Sequence, residues 1–359
     1  MARRKKGQKL VTDSSTDRRT ILKVSAGTLA AGVGVAGCVG GDDDDDDDDG
    51  TDPGTDDDNG DDEYPTQPIT VIVPWGAGGG SDTNFRTLQP DFEDEIGTST
   101  NVDNRPGAGG REGMNVLSDQ DADGYSIAFT SIPSAVLGAT LHDTRYNVDD
   151  LNMAGVSASQ FMGWATRGGR FSDFAEFRSY MESEDFLFGS AAAGSTAHFS
   201  ALAGMDAMGV PFENASHVPF DGTEDSAVAV GSGDIDAAYV TAGAVQGLVE
   251  DGEIDIHYIN RPDQDPIYPD ATTVADLDVD VPVLGLTFGI FTPGDVAQDR
   301  VNTIGDAVVA AAQGDEYTTF AEEQGLEIIA AGGDDAQDIL DEFAGWAADY
   351  QDLIDRLEG

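Results

Sequence analysis

Ile69-Thr70-Val71-Ile72-Val73-Pro74-Trp75-Gly76-Ala77-Gly78-Gly79-Gly80-Ser81-Asp82 joins a β-branched run to a glycine-rich turn. After it Phe85, Leu88, Phe92 and Ile96 recur at helical spacing, and Gly97 follows the last of them. β-Branched residues suit a pleated strand, apolar residues three and four apart mark one helix face, and a trailing glycine caps a helix. The stretch therefore reads as strand, glycine turn and helix. Pro90 falls inside the helical pattern and is expected to kink or split it, because it removes a backbone donor.

The alternation continues downstream. A strand is expected near Ser99 to Asn104, then the loop Arg105-Pro106-Gly107-Ala108-Gly109-Gly110, a helix from Glu112 to Ser118 and a strand from Ser126 to Thr130. Further strands are expected near Phe186 to Gly189, Ser216 to Pro219, Ala237 to Val240, Ile254 to Ile259 and Thr287 to Phe291. Strands alternating with helices imply an α/β fold with parallel pairings. A last helix, Ala336 to Leu357, carries an apolar stripe at Ile339, Leu340, Phe343, Trp346, Tyr350, Leu353, Ile354 and Leu357 that reads as core packing.

The first 63 residues read differently. Basic residues precede Arg18-Arg19-Thr20-Ile21-Leu22-Lys23 and a weakly apolar stretch from Val24 to Gly37, the pattern of a twin-arginine export signal over residues 1–37. A permanent transmembrane anchor is the alternative, against which the stretch is shorter and less apolar than the roughly 20 residues a span needs. The single cysteine, Cys38, follows Val35-Ala36-Gly37, and small residues ahead of one cysteine resemble a lipobox. Cys38 is expected to carry a lipid, which places the protein on the outer face of the cytoplasmic membrane. Residues 38–63, with eight consecutive aspartates from Asp42 to Asp49, offer almost nothing to bury and read as a disordered acidic tether. Calcium binding by that run is the alternative.

From Tyr64 onward the chain has ten arginines, no lysine and 52 acidic residues. Such a surface repels itself in dilute buffer, whereas at about 1 M salt the Debye length falls to roughly 3 Å and the repulsion is screened. The composition fits a halophile. It excludes a nucleic-acid partner, which calls for a basic stripe.

Two turns are anion-ready. Gly78-Gly79-Gly80-Ser81-Asp82 offers backbone N–H groups at a helix start, where the dipole adds about half a positive charge. It lacks the Gly-Lys-Ser/Thr of a phosphate loop and the third glycine of a dinucleotide fingerprint. Ala193-Gly194-Ser195-Thr196-Ala197-His198 follows a strand, and Ser195 or Thr196 is placed to cap a helix and present donors to a carboxylate. Ser195 and His198 form the alternative of a nucleophile and base, without an evident third partner or a Gly-x-Ser-x-Gly elbow. His142, His198, His217 and His257 are too scattered for zinc. Asp119-Gln120-Asp121-Ala122-Asp123-Gly124 copies the start of an EF-hand loop but has Thr130 where the bidentate glutamate belongs, so it reads as a turn. No metal and no cofactor is expected.

Ile69 to Trp75 with Gly78 to Asp82, then Asn104-Arg105-Pro106-Gly107-Ala108-Gly109-Gly110, Asp123-Gly124-Tyr125, Gly194-Ser195-Thr196-Ala197-His198, Val218-Pro219-Phe220-Asp221-Gly222 and Gly231-Ser232-Gly233-Asp234-Ile235-Asp236 occur in one order. That order resembles the tripartite tricarboxylate transporter receptors, the Bug or TctC family, from about Gln67 to Leu357. The resemblance implies a two-lobed periplasmic-binding-protein-like fold of type II with the ligand cleft between lobes. Lobe 1 is then residues 64–163, lobe 2 is 164–286, and 287–359 return to lobe 1. It implies a non-enzymatic binding protein, a monomer that captures a small di- or tricarboxylate or related organic acid for membrane permease subunits. Carried over block by block, the ligand residues are Gly79, Gly80, Ser81, Asp82, Thr130 and Ser131 in lobe 1, with Gly194, Ser195, Thr196 and His198 in lobe 2. Asp221 and Asp236 are weaker members. Where the family often has Tyr-Lys-Gly, this chain has Phe220-Asp221-Gly222, which exchanges a cation for an anion. A surface lipoprotein without ligand, or a secreted hydrolase using Ser195 and His198, remains the alternative.

Overall fold

The computed structural model describes residues 64–279 and 281–349, together with Leu353. The export signal at 1–37, Cys38, the tether to residue 63 and the stripe positions Tyr350, Ile354 and Leu357 lie outside the described residues. The opening stretch folds as strand β1 (Ile69–Val73), glycine turn and helix α1 (Gly80–Ile96), which ends on Gly97 in the left-handed region at φ 78°. Ile69, Val71 and Val73 are fully buried against Phe85, Leu88, Phe92 and Ile96, while Ile72 points to the opposite core. A strand apolar on both faces is one covered by helices on both sides.

Helix α1 runs unbroken across Pro90, contrary to the expected kink. Pro90 lies on the exposed face. The carbonyl of Arg86, left without its helical donor, therefore faces water, and the helix tolerates the loss.

β2 (Thr100–Asn104), α2 (Arg111–Ser118), β3 (Ser126–Ser131) and α3 (Ile132–Leu141) follow, with β2 and β3 both parallel to β1. β4 (Leu151–Gln160) then joins the same sheet. Its run Ala154-Gly155-Val156-Ser157-Ala158-Ser159 is made of small residues with a single β-branched member, which does little to announce a strand. Tertiary packing decides it: helix α8 lies so close that a Cβ on Gly155 would sit 2.8 Å from Val308 Cβ. The chain crosses after Gln160 into β5 (Met162–Arg167) of a second sheet. There α4 (Phe174–Ser183), β6 (Phe186–Ala191), α5 (Thr196–Met208), β7 (Ala215–Phe220), α6 (Thr223–Ser232), β8 (Ala237–Thr241), α7 (Gln246–Glu250), β9 (Ile254–Ile259) and β10 (Thr272–Thr273) are laid down. β11 (Leu286–Pro293), α8 (Gln298–Ala312), α9 (Asp315–Gln324), β12 (Leu326–Gly332) and α10 (Gly333–Asp349) return to the first sheet.

The two six-stranded sheets have the orders β12-β4-β11-β3-β1-β2 and β10-β9-β5-β8-β6-β7. Both are mixed. β6 pairs parallel with β7 and β8, whereas β4, β5, β11 and β12 run antiparallel to their neighbours. This is the two-lobed α/β arrangement the sequence implies. The lobes share apolar surface: Phe199 and Ala203 of α5, fully buried, pack in one cluster with Val136 of α3 and Leu340 of α10.

Three elements of the first lobe meet at Tyr317 of α9. Its buried hydroxyl donates to Asn84 Oδ1 of α1 at 2.8 Å and lies 3.0 Å from Ser157 Oγ of β4. Tyr317→Phe leaves Asn84 Oδ1 without that donor and should cost about 1–3 kcal/mol of unfolding free energy. Denaturant titration in concentrated salt measures it; an unchanged midpoint would show that the hydroxyl contributes nothing.

Candidate functional site

Helix starts collect where parallel strands end. β1, β3 and β6 lead into α1, α3 and α5, and the first-turn N–H groups of each helix have no intrahelical acceptor. At the first turn Gly79 N–H donates to Gly76 O at 3.0 Å and Thr83 N–H to Gly79 O at 2.9 Å, which leaves the amides of Gly80, Ser81 and Asp82. Gly78 has φ 80°, and a Cβ on Gly79 would lie 3.0 Å from Gly76 O, so the turn needs glycine at both. Gly80 is different. A Cβ there would meet nothing within 4 Å, so the approach to the helix start is open.

Asp82 shapes this turn from behind. Its carboxylate, 2 % exposed, accepts from Gly78 N–H and Arg86 Nε, both at 2.8 Å, and from Asn104 Nδ2 at 2.9 Å. Burial opposes its ionisation, but the bonds from Arg86, Gly78 and Asn104 outweigh burial and hold the carboxyl below its usual range. Asn104 Nδ2 also reaches Trp75 O at 3.0 Å, and Trp75 Nε1 donates to Thr130 Oγ1 at 3.0 Å. Asp82 is thus turned inward, and Trp75, Arg86 and Asn104 are supports that sequence reading missed. Trp75 and Asn104 stand in the sequence reading only as parts of motif blocks, and Arg86 is not singled out there.

Thr130 and Ser131, 1 % and 2 % exposed, end β3. Ser134 Oγ, one turn into α3, donates to Ser131 Oγ at 3.3 Å and lies 3.1 Å from Thr196 Oγ1 of the second lobe. Ser134 was missed as well; Pro133 behind the Ser131 cap was its local mark. This bond joins Ser134, beside Ser131, to the second turn at Thr196, while Trp75, just ahead of the first turn, bonds to Thr130 at the end of the same strand.

In the second turn Ala192 and Gly194 adopt φ 57° and 71°. Gly194 N–H donates to His198 Nδ1 at 3.1 Å, and Ser195 Oγ accepts from His198 N–H at 3.2 Å as the helix cap. The amides of Thr196 and Ala197 remain, together with the Ser195 O–H proton. Gly194 N–H, expected to face a ligand, is instead spent inside the turn. The Ser195 to His198 contact runs from a backbone amide, which is a cap and not a nucleophile-base pair.

His198 stacks on His217 with ring centroids 3.6 Å apart, and His217 Nε2 lies 2.9 Å from Ser190 Oγ. Burial, then the neighbouring imidazole, lowers the His198 pKa to about 3, and burial lowers that of His217 to about 4. Both rings are neutral near pH 7, and His198, accepting at Nδ1, carries its proton on Nε2. Neither supplies charge to an anion.

Asp221 is exposed and follows β7, whose Phe220 O accepts from Ala192 N–H at 2.8 Å, so it stands beside the second turn. Asp236 is a correction. It precedes β8 at the opposite ends of the strands, pairs with Arg170 at 2.8 Å and accepts from Leu187 N–H at 2.8 Å. It braces the second lobe away from the second turn. Among the described residues no group of three metal-ligating side chains gathers and no helix is long and apolar enough to cross a membrane. Asp119 pairs with Arg145, and Asp123 Oδ1 accepts from Tyr125 N–H at 2.9 Å, the turn expected there. A surface depression of about 450 Å³ beside Asp263, Thr272 and Asp276 includes none of the residues of either turn.

The family model described as tripartite tricarboxylate transporter family receptor matches residues 84–354. The chain belongs to that family. As a receptor it is a solute-binding protein and not an enzyme. It is 22 % identical to a UPF0065 protein of Bordetella pertussis over 270 residues, 74 % of this chain and 83 % of that one. The receptor superposes on the periplasmic binding protein BugD with a TM-score of 0.70 at 20 % identity, covering 81 % of this chain and 98 % of that one. A structure of MatC from Rhodopseudomonas palustris with bound malate gives 0.68 at 22 % identity, over 81 % and 100 % of the two chains. A further R. palustris protein with adipate gives 0.69 at 22 % identity, over 82 % and 98 %. At these identities the superpositions show the fold.

The depressed histidines fix a pH response. Their contribution to stability is fully present above the unfolded pKa of 6.5 and is lost as pH falls toward about 4 for His217 and about 3 for His198, because the unfolded chain takes up protons that the folded rings exclude. The melting temperature of the receptor should decline over that window. His217→Gln, which keeps a partner for Ser190, should decline less steeply; an identical slope would mean that the stacked pair does not carry the response.

Proposed function

We propose that the receptor captures a small organic acid with two or three carboxylates, gripped in the gap where α1, α3 and α5 begin, and delivers it to the permease subunits of a tripartite tricarboxylate-type transporter. Lobe 1, built on the first sheet, closes with lobe 2, built on the second, around the ligand; the chain passes between them after Gln160 and returns at Leu286, where boundaries at 163 and 286 were expected. The supporting observation is the contact between lobes at Ser134 and Thr196, with first-turn amides left over at Gly80 and Ser81 in one lobe and at Thr196 and Ala197 in the other. The malate and adipate bound by structurally similar proteins support the ligand class. Each helix start contributes about 0.3–1 kcal/mol to anion binding when exposed and up to about 2 when partly buried.

The chain is exported through a twin-arginine signal, anchored by a lipid on Cys38 outside the cell and held off the membrane by the acidic tether, in a salty medium and as a monomer. Acyl labelling that persisted in Cys38→Ser would contradict the anchor. Asp221 adds a negative charge beside the second turn, which concentrated salt screens.

Isothermal calorimetry in about 2 M NaCl against malate, succinate, adipate, citrate and glutamate tests the ligand class under screened conditions. Saturable binding of at least one is expected; folded protein that binds none contradicts the reading. Gly80→Val branches from a Cβ that would meet nothing within 4 Å and puts methyl groups at the helix start, so affinity should fall about tenfold or more while the melting temperature stays near that of the parent. Undiminished affinity would remove the first turn from the site.

A further inference from the structure

Nine of the ten arginines after the tether fall among the described residues. Arg86, Arg105, Arg145, Arg170, Arg178 and Arg261 each pair with a carboxylate, and Arg300 donates to Asp123 O and covers the Tyr64 ring. Arg111 and Arg167 have no acidic partner among the described residues. Arg167 is exposed, so water solvates it fully. Arg111 is half-buried.

Its place is unfavourable for a cation. Arg111 is the first residue of α2, after the Gly110 cap, where the helix dipole is positive. In a chain so rich in carboxylates, a half-buried arginine at the wrong helix end is a local conflict, and such conflicts concentrate at functional positions. Its neighbours say which position. A Cβ on Gly138 of α3 would lie 2.6 Å from the Tyr146 hydroxyl and 3.2 Å from Arg111 Cγ, so the missing side chain makes room for both. Ser134, Gly138 and Leu141 share one face of α3 by their spacing. Ser134 touches Thr196, and Leu141 Cδ1 lies 3.6 Å from where a Gly194 Cβ would stand. The Arg111 stem therefore lies against the α3 face whose Ser134 and Leu141 approach the second-lobe turn, and its Nη1 lies 3.7 Å from where a Gly109 Cβ would stand. On the other side Gly110 packs on the Trp75 ring, 3.3 Å from its would-be Cβ, beside the first turn.

We propose that Arg111 is the specificity-determining residue of this receptor: it takes the second acidic group of a dicarboxylate whose first carboxylate rests on the helix starts. The inference rests on the carboxylate reading above and adds the preference among acids. A planar guanidinium receives a carboxylate through two parallel N–H bonds, which amides at a helix start cannot duplicate at a distance. A monocarboxylate leaves Arg111 unused.

Two matched pairs of probes test this by calorimetry in about 1 M and 3 M NaCl: malate with lactate, and adipate with hexanoate. The parent should bind a dicarboxylate more tightly than its monocarboxylate partner, with the steeper salt dependence. Arg111→Gln should weaken the dicarboxylate about tenfold and the monocarboxylate by no more than about twofold. Arg111→Lys keeps the stem and charge and should retain part of the preference; it also serves if the glutamine variant melts early. Equal weakening of both classes, or no weakening of the dicarboxylate, overturns the assignment. A parent that binds the monocarboxylates at least as tightly overturns it and leaves the carboxylate receptor standing. A folded parent that binds none of the four overturns both.

Discussion

The 3.1 Å contact between Ser134 Oγ and Thr196 Oγ1 ties the start of a first-lobe helix to the start of a second-lobe helix. Around it lie first-turn amides that no helix can satisfy from within. Each lobe reaches this point through its own parallel strands, β1 and β3 on one side and β6 on the other, so the sheets bring the helix starts together and the loops only finish the geometry. Backbone amides at the carboxyl ends of parallel strands are where open α/β folds place ligands. Here the supports are themselves buried: Asp82 holds the first turn, and His198 on His217 holds the second.

These supports explain how so acidic a chain presents an anion site. Asp82 is an anion at a helix start, but its oxygens are spent on Gly78, Arg86 and Asn104, away from the open side of Gly80. The histidines are neutral through burial. What is left for a ligand is oriented N–H and O–H groups in a setting where salt screens the distant carboxylates. Arg111 is the half-buried one of two arginines without an acidic partner among the described residues.

The opening β1-turn-α1 unit was legible because propensity, glycine placement, helical period and cap all agree there, and the same consistency marked β2, β3, β6, β8 and β9. β4 was not legible: its small residues earn a strand only through α8 packing on Gly155. Pro90 misled because its exposure, which the period alone does not weigh, lets the helix run on. Around the two turns, several side chains have local duties that the sequence did not show. Asp82, Gly194 and His198 look like ligand groups in sequence, yet Asp82 accepts from Gly78, Arg86 and Asn104 and Gly194 N–H donates to His198, since a hydrogen bond four residues along a turn leaves no trace in composition. Asp236 was misplaced because a Gly-Asp block marks a turn without saying at which end of the sheet the turn lies. Ser134 and Arg111 gave no signal of comparable strength, because their meaning comes from which helix lies across from them.

A crystal structure of the receptor with a bound dicarboxylate tests the central claim most directly. The account predicts one carboxylate within about 2.7–3.2 Å of amide nitrogens from both the α1 and α5 starts. A ligand seated elsewhere, for example in the depression beside Asp263 and Asp276 with both helix starts solvated, would contradict it.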